Sequence, residues 1–244
     1  NFQYFWVANM FFSNYRARLS AMAIHAMISA IVFAATAAIL IFLFFPSIHF
    51  QINGGWQGLR LMFAIDLILG PLLTFLIFNP LKSLREKIFD LSCVALVQLL
   101  ALVYGFYTIY QQRPVLLLVY PGAVIETVTQ KDYQENLSGA KLADFPLITG
   151  VPMAAYLPEH KHDNFGLVPI ARQGDNIARS QQLVVKQLDE RQQKKLNEIG
   201  SKGKKVYVLQ LVGSFQTEWI VLDDAFAYVA SLGRNPTIMP TLPQ

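Results

Sequence analysis

Three long apolar runs lie within the first 110 residues of this 244-residue chain, at 21–45, 59–78 and 88–110. Each run has the roughly 20 residues that a helix needs to cross a bilayer. Charged residues make up only 15% of the chain, whereas soluble proteins have about 25%. The apolar residues crowd into these runs, and the remainder has the composition of a soluble domain. The sequence therefore predicts a membrane protein with three transmembrane α-helices followed by a small α+β domain.

The first run has a competing interpretation, a cleaved signal peptide. The apolar core of a signal peptide has about 7–15 residues and ends at a small-residue cleavage site. Residues 21–45 continue through ILIFLFF beyond their small residues, which favours an uncleaved anchor. The preceding NFQYFWVANMFF does not begin with Met. Two interpretations of it stay open: an aromatic-rich cytoplasmic or interfacial segment, or an extension upstream of a start at Met10.

Lysines and arginines in the short loops predict the orientation of the spans. Segment 1–20 carries two arginines and loop 79–87 carries three basic residues, whereas loop 46–58 carries none. Because basic loops stay in the cytoplasm, we expect 1–20 and 79–87 to be cytoplasmic. Loop 46–58 and the domain over 111–244 are then periplasmic. We therefore expect a multi-pass protein of the bacterial inner membrane, whose three spans are in contact with membrane lipid.

The charge of the later part argues against nucleic acid as a partner. Residues 111–244 carry 14 basic and 13 acidic side chains, so there is no strongly basic surface of the kind that binds phosphates. The chain has a single cysteine, Cys93, so its fold cannot depend on an internal disulfide.

The soluble part has alternating strand-like and helix-like patterns, as expected for an α+β domain. In chain order they predict a β-hairpin around Pro121-Gly122, an irregular loop over 146–166, a long amphipathic helix over 175–199, two strands joined at Gly213-Ser214, a final helix over 223–233 and an extended proline-rich tail over 235–244.

Asp66 is a carboxyl group inside the second apolar run, about 10 Å from its start at the helical rise of about 1.5 Å per residue. Ionisable residues at such a depth are costly, and they face a bundle interior or a cavity. Three roles are open. Asp66 could be an internal brace bonded to His25, Gln98 or a tyrosine, a contact to a partner helix, or part of an ion relay. The relay is the weakest, since a pump needs more intramembrane charges.

Small residues recur every fourth position along the first run. Such spacing lets two helix backbones approach closely. Either the chain's own spans or a guest helix could occupy this face, which we call the alanine stripe: Ala26, Ala30, Ala34 and Ala38.

The loop NGGWQG and the following arginine form a second candidate region at the outer end of the second run. Trp56 suits the membrane interface, Gln57 is polar, and Arg60 can extend to water. Structural anchoring and partner recognition are both open. Arg60 is six residues from Asp66, so the two are not adjacent on a helix. His25 lies near the cytoplasmic end of the first run, where it is typical of an interfacial polar residue.

Catalytic and metal-binding motifs are not evident. The segment EHKHDN holds two histidines, but its spacing is typical of a solvated loop rather than of a zinc site. The sequence contains no nucleophile elbow, HExxH motif or dinucleotide fingerprint. We therefore expect no catalytic residue, no cofactor and no metal.

Two long strings resemble a known family. GGWQGLRLMFAIDLILGPLLTFLIFNP and LALVYGFYTIYQQRPV, together with the IH of the first run, are similar to the type IV pilin accessory proteins, often called the TfpX/TfpZ family. The resemblance covers about residues 18–128. It implies a non-enzymatic inner-membrane factor, chaperone-like in action, that helps a particular major pilin reach the pilus.

The resemblance also implies a partner. A major pilin waits in the membrane as an apolar helix with one carboxylate near its start, and it carries a globular periplasmic head. The helix could pack on the three spans and the head could touch the periplasmic domain. Contact with the pilus assembly machinery is a further expectation. The alternatives from other classes are a membrane-anchored sensor, a pilin-modifying enzyme and a small transporter or channel component.

Overall fold

The computed structural model describes residues 2–201, 203 and 205–235. Except for Asn235, the predicted tail lies outside the described residues. The chain divides into two compact units. The first, the helical unit, comprises the described residues up to Ile41 together with Trp56–Ile109. The second, the soluble unit, comprises Phe42–Gly55 and the described residues from Tyr110 onward.

Long apolar helices make up the helical unit, and three of them are long and apolar enough to cross a membrane: Asn14–Phe44, Gly55–Ile77 and Leu84–Gln111. The three predicted transmembrane helices are confirmed. Up to Gln111 the elements are α1 (Phe2–Ile39) with a π-helical continuation (Leu40–Phe44), a short α2 (His49–Ile52), α3 (Gly55–Phe63), a π-helical segment (Ala64–Leu69), α4 (Gly70–Ile77) and α5 (Leu84–Gln111). Of these, α2 belongs to the soluble unit.

Local chemistry explains the break between the second and third spans. The backbone leaves the helix at Phe78, which has ψ 121°, two residues before Pro80, whose ring disfavours helix in the residue before it. Ser83 and Glu86 then form a reciprocal pair of side chain–backbone hydrogen bonds at the start of α5. Such a capping box satisfies amide groups that the first helical turn leaves unpaired.

A mixed eight-stranded sheet forms the centre of the soluble unit, in the order β3-β4-β1-β2-β6-β7-β8, with β5 paired to β4. Neighbours are antiparallel except β1–β4 and β2–β6, which are parallel. The strands are β1 (Pro114–Tyr120), β2 (Val124–Thr129), β3 (Leu147–Ile148), β4 (Val151–Tyr156), β5 (Leu167–Val168), β6 (Val206–Val212), β7 (Thr217–Asp223) and β8 (Tyr228–Asn235).

Besides α2, the described part of this unit contains the α-helices α6 (Gln130–Asn136), α7 (Gly174–Val185) and α8 (Glu190–Gly200). Gln181 of α7 bonds both the N–H and the C=O of Val208 on β6, at 2.7 and 3.0 Å. Gln192 of α8 donates to the C=O of Arg234 on β8 at 3.0 Å. The helices thereby satisfy backbone groups that the strands leave unpaired. The sheet and its helices confirm the predicted α+β domain.

The hairpin around Pro121-Gly122 and the two strands joined at Gly213-Ser214 are confirmed as β1–β2 and β6–β7. The predicted single helix over 175–199 is wrong, because the chain breaks between α7 and α8. Asp189 caps α8 there through a reciprocal pair with Gln192. A capping residue adopts an extended backbone and so interrupts a helix.

The predicted final helix over 223–233 is also wrong. The Asp223 carboxylate accepts from the amides of Ala225 and Ala227, which forms a turn. The chain then returns as β8 along β7. The predicted irregular loop over 146–166 contains β3 and β4. Pro152 is accommodated because the neighbouring residues 153–155 make the pairing with β1.

Candidate functional site: polar residues among apolar helices

Two of the spans meet through a hydrogen bond between polar side chains. His25 Nδ1 on α1 lies 2.5 Å from Thr74 Oγ1 on α4, and Thr74 is only 1% exposed. Ser29, one helical turn beyond His25, is buried as well. Further along, the rings of Phe33 and Phe63 meet edge to face, with centroids 5.9 Å apart. The two helices therefore run antiparallel, and their contact face carries polar groups.

Asp66 lies along the second span between these two contacts, in the π-helical segment. It is 6% exposed. Gln98 of α5 donates to the Asp66 backbone C=O at 3.5 Å, not to its carboxylate. Oδ2 of Asp66 is buried and has no hydrogen-bond partner among the described residues. π-helical turns are rare and are frequent at functional sites. The structure thus places an enclosed acceptor with unused capacity at mid-span.

The predicted partners His25 and Gln98 bond groups other than the Asp66 carboxylate. His25 bonds Thr74, and Gln98 bonds the backbone of Asp66. Among the described residues no ion pair joins Arg60 to Asp66. The structure therefore gives no side-chain bond from His25 or Gln98 to Asp66 Oδ2, and the three roles of Asp66 stay predictions.

Glycines allow the second and third spans to approach closely. A Cβ at Gly70 would overlap the Gln98 side-chain amide. A Cβ at Gly58 would lie 2.5 Å from Cδ1 of Ile109 on α5. Both positions exclude a side chain in the present packing, since real Cβ atoms do not approach heavy atoms so closely.

The alanine stripe faces away from the other described helices. Ala30, Ala34 and Ala38 are exposed and Ala26 is half-buried. The buried positions of the first span lie on the adjacent face: Ser29, Thr36 and Leu40. A face of small residues is therefore accessible within the helical unit, beside the polar contact that α1 makes with α4.

The other predicted residues, Trp56, Gln57 and Arg60, are exposed and lie on α3. They do not lie in a loop, because α3 begins at Gly55. They occupy the first turns of the second span, and Arg60 is at the surface of that helix.

A second polar group, in the soluble unit, was not predicted. His49 of α2 is fully buried, and its Nε2 lies 2.8 Å from Thr149 Oγ1. Because the Thr149 hydroxyl donates to the C=O of Ile148, His49 Nε2 must carry the proton. His49 Nδ1 then accepts from the Asn53 amide at 3.4 Å. Asn53 Oδ1 in turn accepts from the Ser214 N–H at 3.1 Å.

These bonds attach the segment between the first two spans to the sheet. Burial lowers the pKa of His49 to about 4, which keeps the ring neutral. Ile52, in the same segment, is fully buried in the main core of the soluble unit. The predicted periplasmic loop 46–58 is thus partly a structural element of that unit. In the sequence, only the spacing of the polar residues 49 and 53, one helical turn apart, could have indicated that this loop contains a structural element.

Arg113, in the string YQQRP, contacts several parts of the soluble unit. The Arg113 guanidinium stacks on Tyr110 at 4.4 Å and on Phe44 at 5.7 Å from the ring centroids. It also donates to Gln130 Oε1 at 2.7 and 3.1 Å. Pro114 opens β1. Arg113 therefore joins the ends of two spans to the first helix after the hairpin.

Part of the chain is similar in sequence to known proteins. The chain is similar to fimbrial assembly proteins of Dichelobacter nodosus, at 42% identity over 92 residues for the serogroup I protein and 41% over 92 residues for the protein of serogroups C1 and C2. The matched residues make up 38% of this chain. No protein-family model and no solved structure matches.

The match covers different shares of these relatives. It spans 36% of the serogroup I protein, and likewise 36% of the serogroup E1 protein, which is 41% identical. It spans 70% of the protein of serogroups C1 and C2. The resemblance to type IV pilin accessory proteins is confirmed by these matches. The chain belongs to the family of fimbrial assembly proteins.

Proposed function

We propose that this protein is a non-enzymatic, chaperone-like accessory factor of type IV pilus biogenesis. It binds a cognate major pilin in the bacterial inner membrane and promotes the stability of that pilin or its assembly into pili. Two lines support the proposal: the relatives are called fimbrial assembly proteins, and the helical unit contains a buried carboxylate with unused bonding capacity.

The proposed topology follows from the basic loops. The segment before the first span and loop 79–87 are cytoplasmic because they carry the lysines and arginines. The soluble unit is then periplasmic, on the same side as the globular head of a membrane-inserted pilin. Such an arrangement lets one protein contact both parts of its partner.

Asp66 is the single observation that carries the proposal furthest. Its Oδ2 is enclosed and unpartnered among the described residues. An unpaired polar group inside a bilayer is costly, and a hydrogen bond from a partner helix would offset that cost. A donor group on a guest helix would supply the missing hydrogen bond.

The alanine stripe is the proposed docking face for a guest helix on a separate ground, because it is exposed whereas Asp66 Oδ2 is enclosed. Its exposed alanines lie beside the polar contact between α1 and α4, and small residues allow two backbones to approach closely. The guest helix packs on the stripe while the soluble unit contacts the pilin head and selects the cognate pilin.

A deletion strain tests this function. Loss of the gene is expected to reduce both the amount of pilin and the number of surface pili, and expression of the wild-type chain is expected to restore both. Normal pilin and normal pili in the deletion strain would contradict the proposal. The mass of residual pilin separates the enzyme alternative, since a modifying enzyme predicts a changed pilin mass and an accessory factor predicts none.

A further inference from the structure

We propose that the turn between β6 and β7, residues 213–216, is a membrane-contacting loop whose Phe215 side chain enters the headgroup layer of the bilayer. The partner is the lipid surface next to the protein's own spans. The inference depends on the transmembrane helices and is independent of pilin binding.

The turn is fixed to residues at the ends of two spans. The Phe215 and Gln216 amides both donate to the C=O of Ile52, at 2.9 and 3.2 Å. The Ser214 amide donates to the Asn53 side chain at 3.1 Å, and its hydroxyl donates to Gln112 Oε1 at 3.4 Å. These bonds hold the turn in one place relative to its anchoring residues.

The anchoring residues Asn53 and Gln112 lie next to membrane-spanning helices in the sequence. The second apolar helix begins at Gly55, two residues after Asn53, and the third ends at Gln111, directly before Gln112. Because an extended chain advances at most about 3.6 Å per residue, Asn53 lies within about 7 Å of the second span. The turn is therefore held at the depth where the chain enters and leaves the bilayer.

Phe215 has the chemistry and exposure that this depth favours. The residue is 51% exposed, although it lies in a well-bonded turn. One edge of the ring contacts Gly54, where an added Cβ would overlap the ring. Gly54 also has φ +85°, so the position suits glycine for two reasons. The ring is thereby held on the backbone with its other side open.

Other residues near these span ends suit the membrane interface as well. Tyr110 and Phe44 stack with the Arg113 guanidinium, and Trp56 directly follows Gly55 and is 51% exposed. Aromatic rings concentrate at the level of the headgroups because one side is apolar and the other meets water. Phe215 adds an aromatic ring to this belt from a distant part of the sequence.

Spin labelling of the full chain in lipid nanodiscs, without pilin, tests the inference. A single label is attached to Phe215→Cys in a Cys93→Ala background. The matched control is Phe165→Cys, another exposed phenylalanine in a turn of the soluble unit. Collisions of each label with oxygen, which enters lipid, are compared with collisions with a water-soluble nickel chelate.

At position 215 the ratio of oxygen to nickel collisions is expected to exceed the ratio at position 165 by at least about threefold, since oxygen partitions into lipid and the chelate is excluded. Equal ratios would overturn the inference, and so would low collision rates with both reagents at 215, because these indicate burial against protein. Gln216→Cys, which leaves Phe215 in place, is labelled in parallel in case the first exchange unfolds the turn. It is expected to show the same preference for oxygen, and a preference for nickel there would contradict the inference.

Discussion

His49 connects the segment between the first two spans to the sheet, and its burial gives the soluble unit a specific pH dependence. The pKa of His49 is lowered from 6.5 to about 4 in the fold. As pH falls from about 6.5 to about 4, the unfolded chain binds a proton that the folded chain does not. The free energy of unfolding is therefore expected to drop over this range by up to about 3 kcal/mol, and to be unaffected by His49 above it.

The thermal unfolding midpoint of the soluble unit, followed between pH 7.5 and pH 4, measures this loss. His49→Gln removes the titration and is expected to flatten the pH profile, whereas His162→Gln, at an exposed position, leaves it unchanged. A profile that His49→Gln does not alter would contradict the assigned role.

Asp66 leads to a prediction in which stability and function move in opposite directions. Asp66→Leu removes a buried carboxyl group whose Oδ2 has no hydrogen-bond partner among the described residues. We expect the purified protein to unfold at higher temperature, with a gain of about 1–3 kcal/mol. We also expect fewer pili in complemented cells, since the proposed contact with the guest helix is lost.

Asp66→Asn is the matched variant, because it keeps most of the hydrogen-bonding capacity and removes the charge. It is expected to support pili at close to the wild-type number. Lower stability of Asp66→Leu would show that the carboxylate is a brace after all, and unchanged pili would remove it from partner binding.

Some of the site residues could be identified from the sequence, and others could not. Asp66 and His25 could be identified because polar groups stand out in apolar runs. The bond from His25 to Thr74 could not, since it depends on how two antiparallel helices are aligned. His49 and Asn53 are unremarkable loop residues by pattern. Their partners Thr149 and Ser214 lie 100 and 161 positions away in the chain.

At the scale of elements, the close approach of the second and third spans depends on particular glycines. Gly58→Ala is expected to destabilise this packing by about 1–3 kcal/mol, because its Cβ would overlap the Ile109 side chain. Gly105→Ala, in α5, is the matched control. Its Cβ would meet only Met62 Cγ at 3.9 Å, so the better helix propensity of alanine should dominate.

Thermal unfolding in detergent measures both variants. The expected signs are opposite, with Gly58→Ala below the wild type and Gly105→Ala equal to it or above it. Equal effects of the two substitutions would show that Gly58 is not a packing position.

Element types were predictable where a pattern was long or where a turn was well marked. The three spans and the two hairpins have such signals. β8 was mistaken for a helix because residues 223–233 have a capping-like Asp223 and a helix-like spacing of apolar residues. Pairing with β7 and cover from α8 decide its structure, and both are tertiary effects that override local propensity. The break between α7 and α8 was missed because the apolar stripe continues through it.

At the scale of the whole molecule, the soluble unit is not a simple C-terminal domain. It includes Phe42–Gly55, which precedes the second span in the chain. A fragment that starts at Tyr110 lacks Ile52. It therefore loses a buried side chain and the backbone C=O that accepts from the Phe215 and Gln216 amides. We expect such a fragment to be less stable by at least about 3 kcal/mol than one with residues 42–55 joined to its start by a flexible linker.

Chemical denaturation of the two fragments gives this difference directly. Ile52→Ala in the linked fragment is the control, and it should lower the stability by part of the same difference, because Ile52 is fully buried in the core. Equal midpoints for the fragments with and without residues 42–55 would mean that the segment contributes nothing to the fold. Composition alone predicted the division into membrane and soluble parts, but the discontinuous boundary required the long-range contacts of residues 49–53.

Photo-crosslinking in intact cells tests the central claim, direct binding of a major pilin, most directly. The probe is placed at Ala34 on the alanine stripe, with matched placement at Val97, an exposed position of the third span, and at Phe165 in the soluble unit. Capture of pilin from Ala34 well above the level from Val97 is the predicted result. Absence of pilin at all three positions, in a protein that is folded and inserted, would contradict the account.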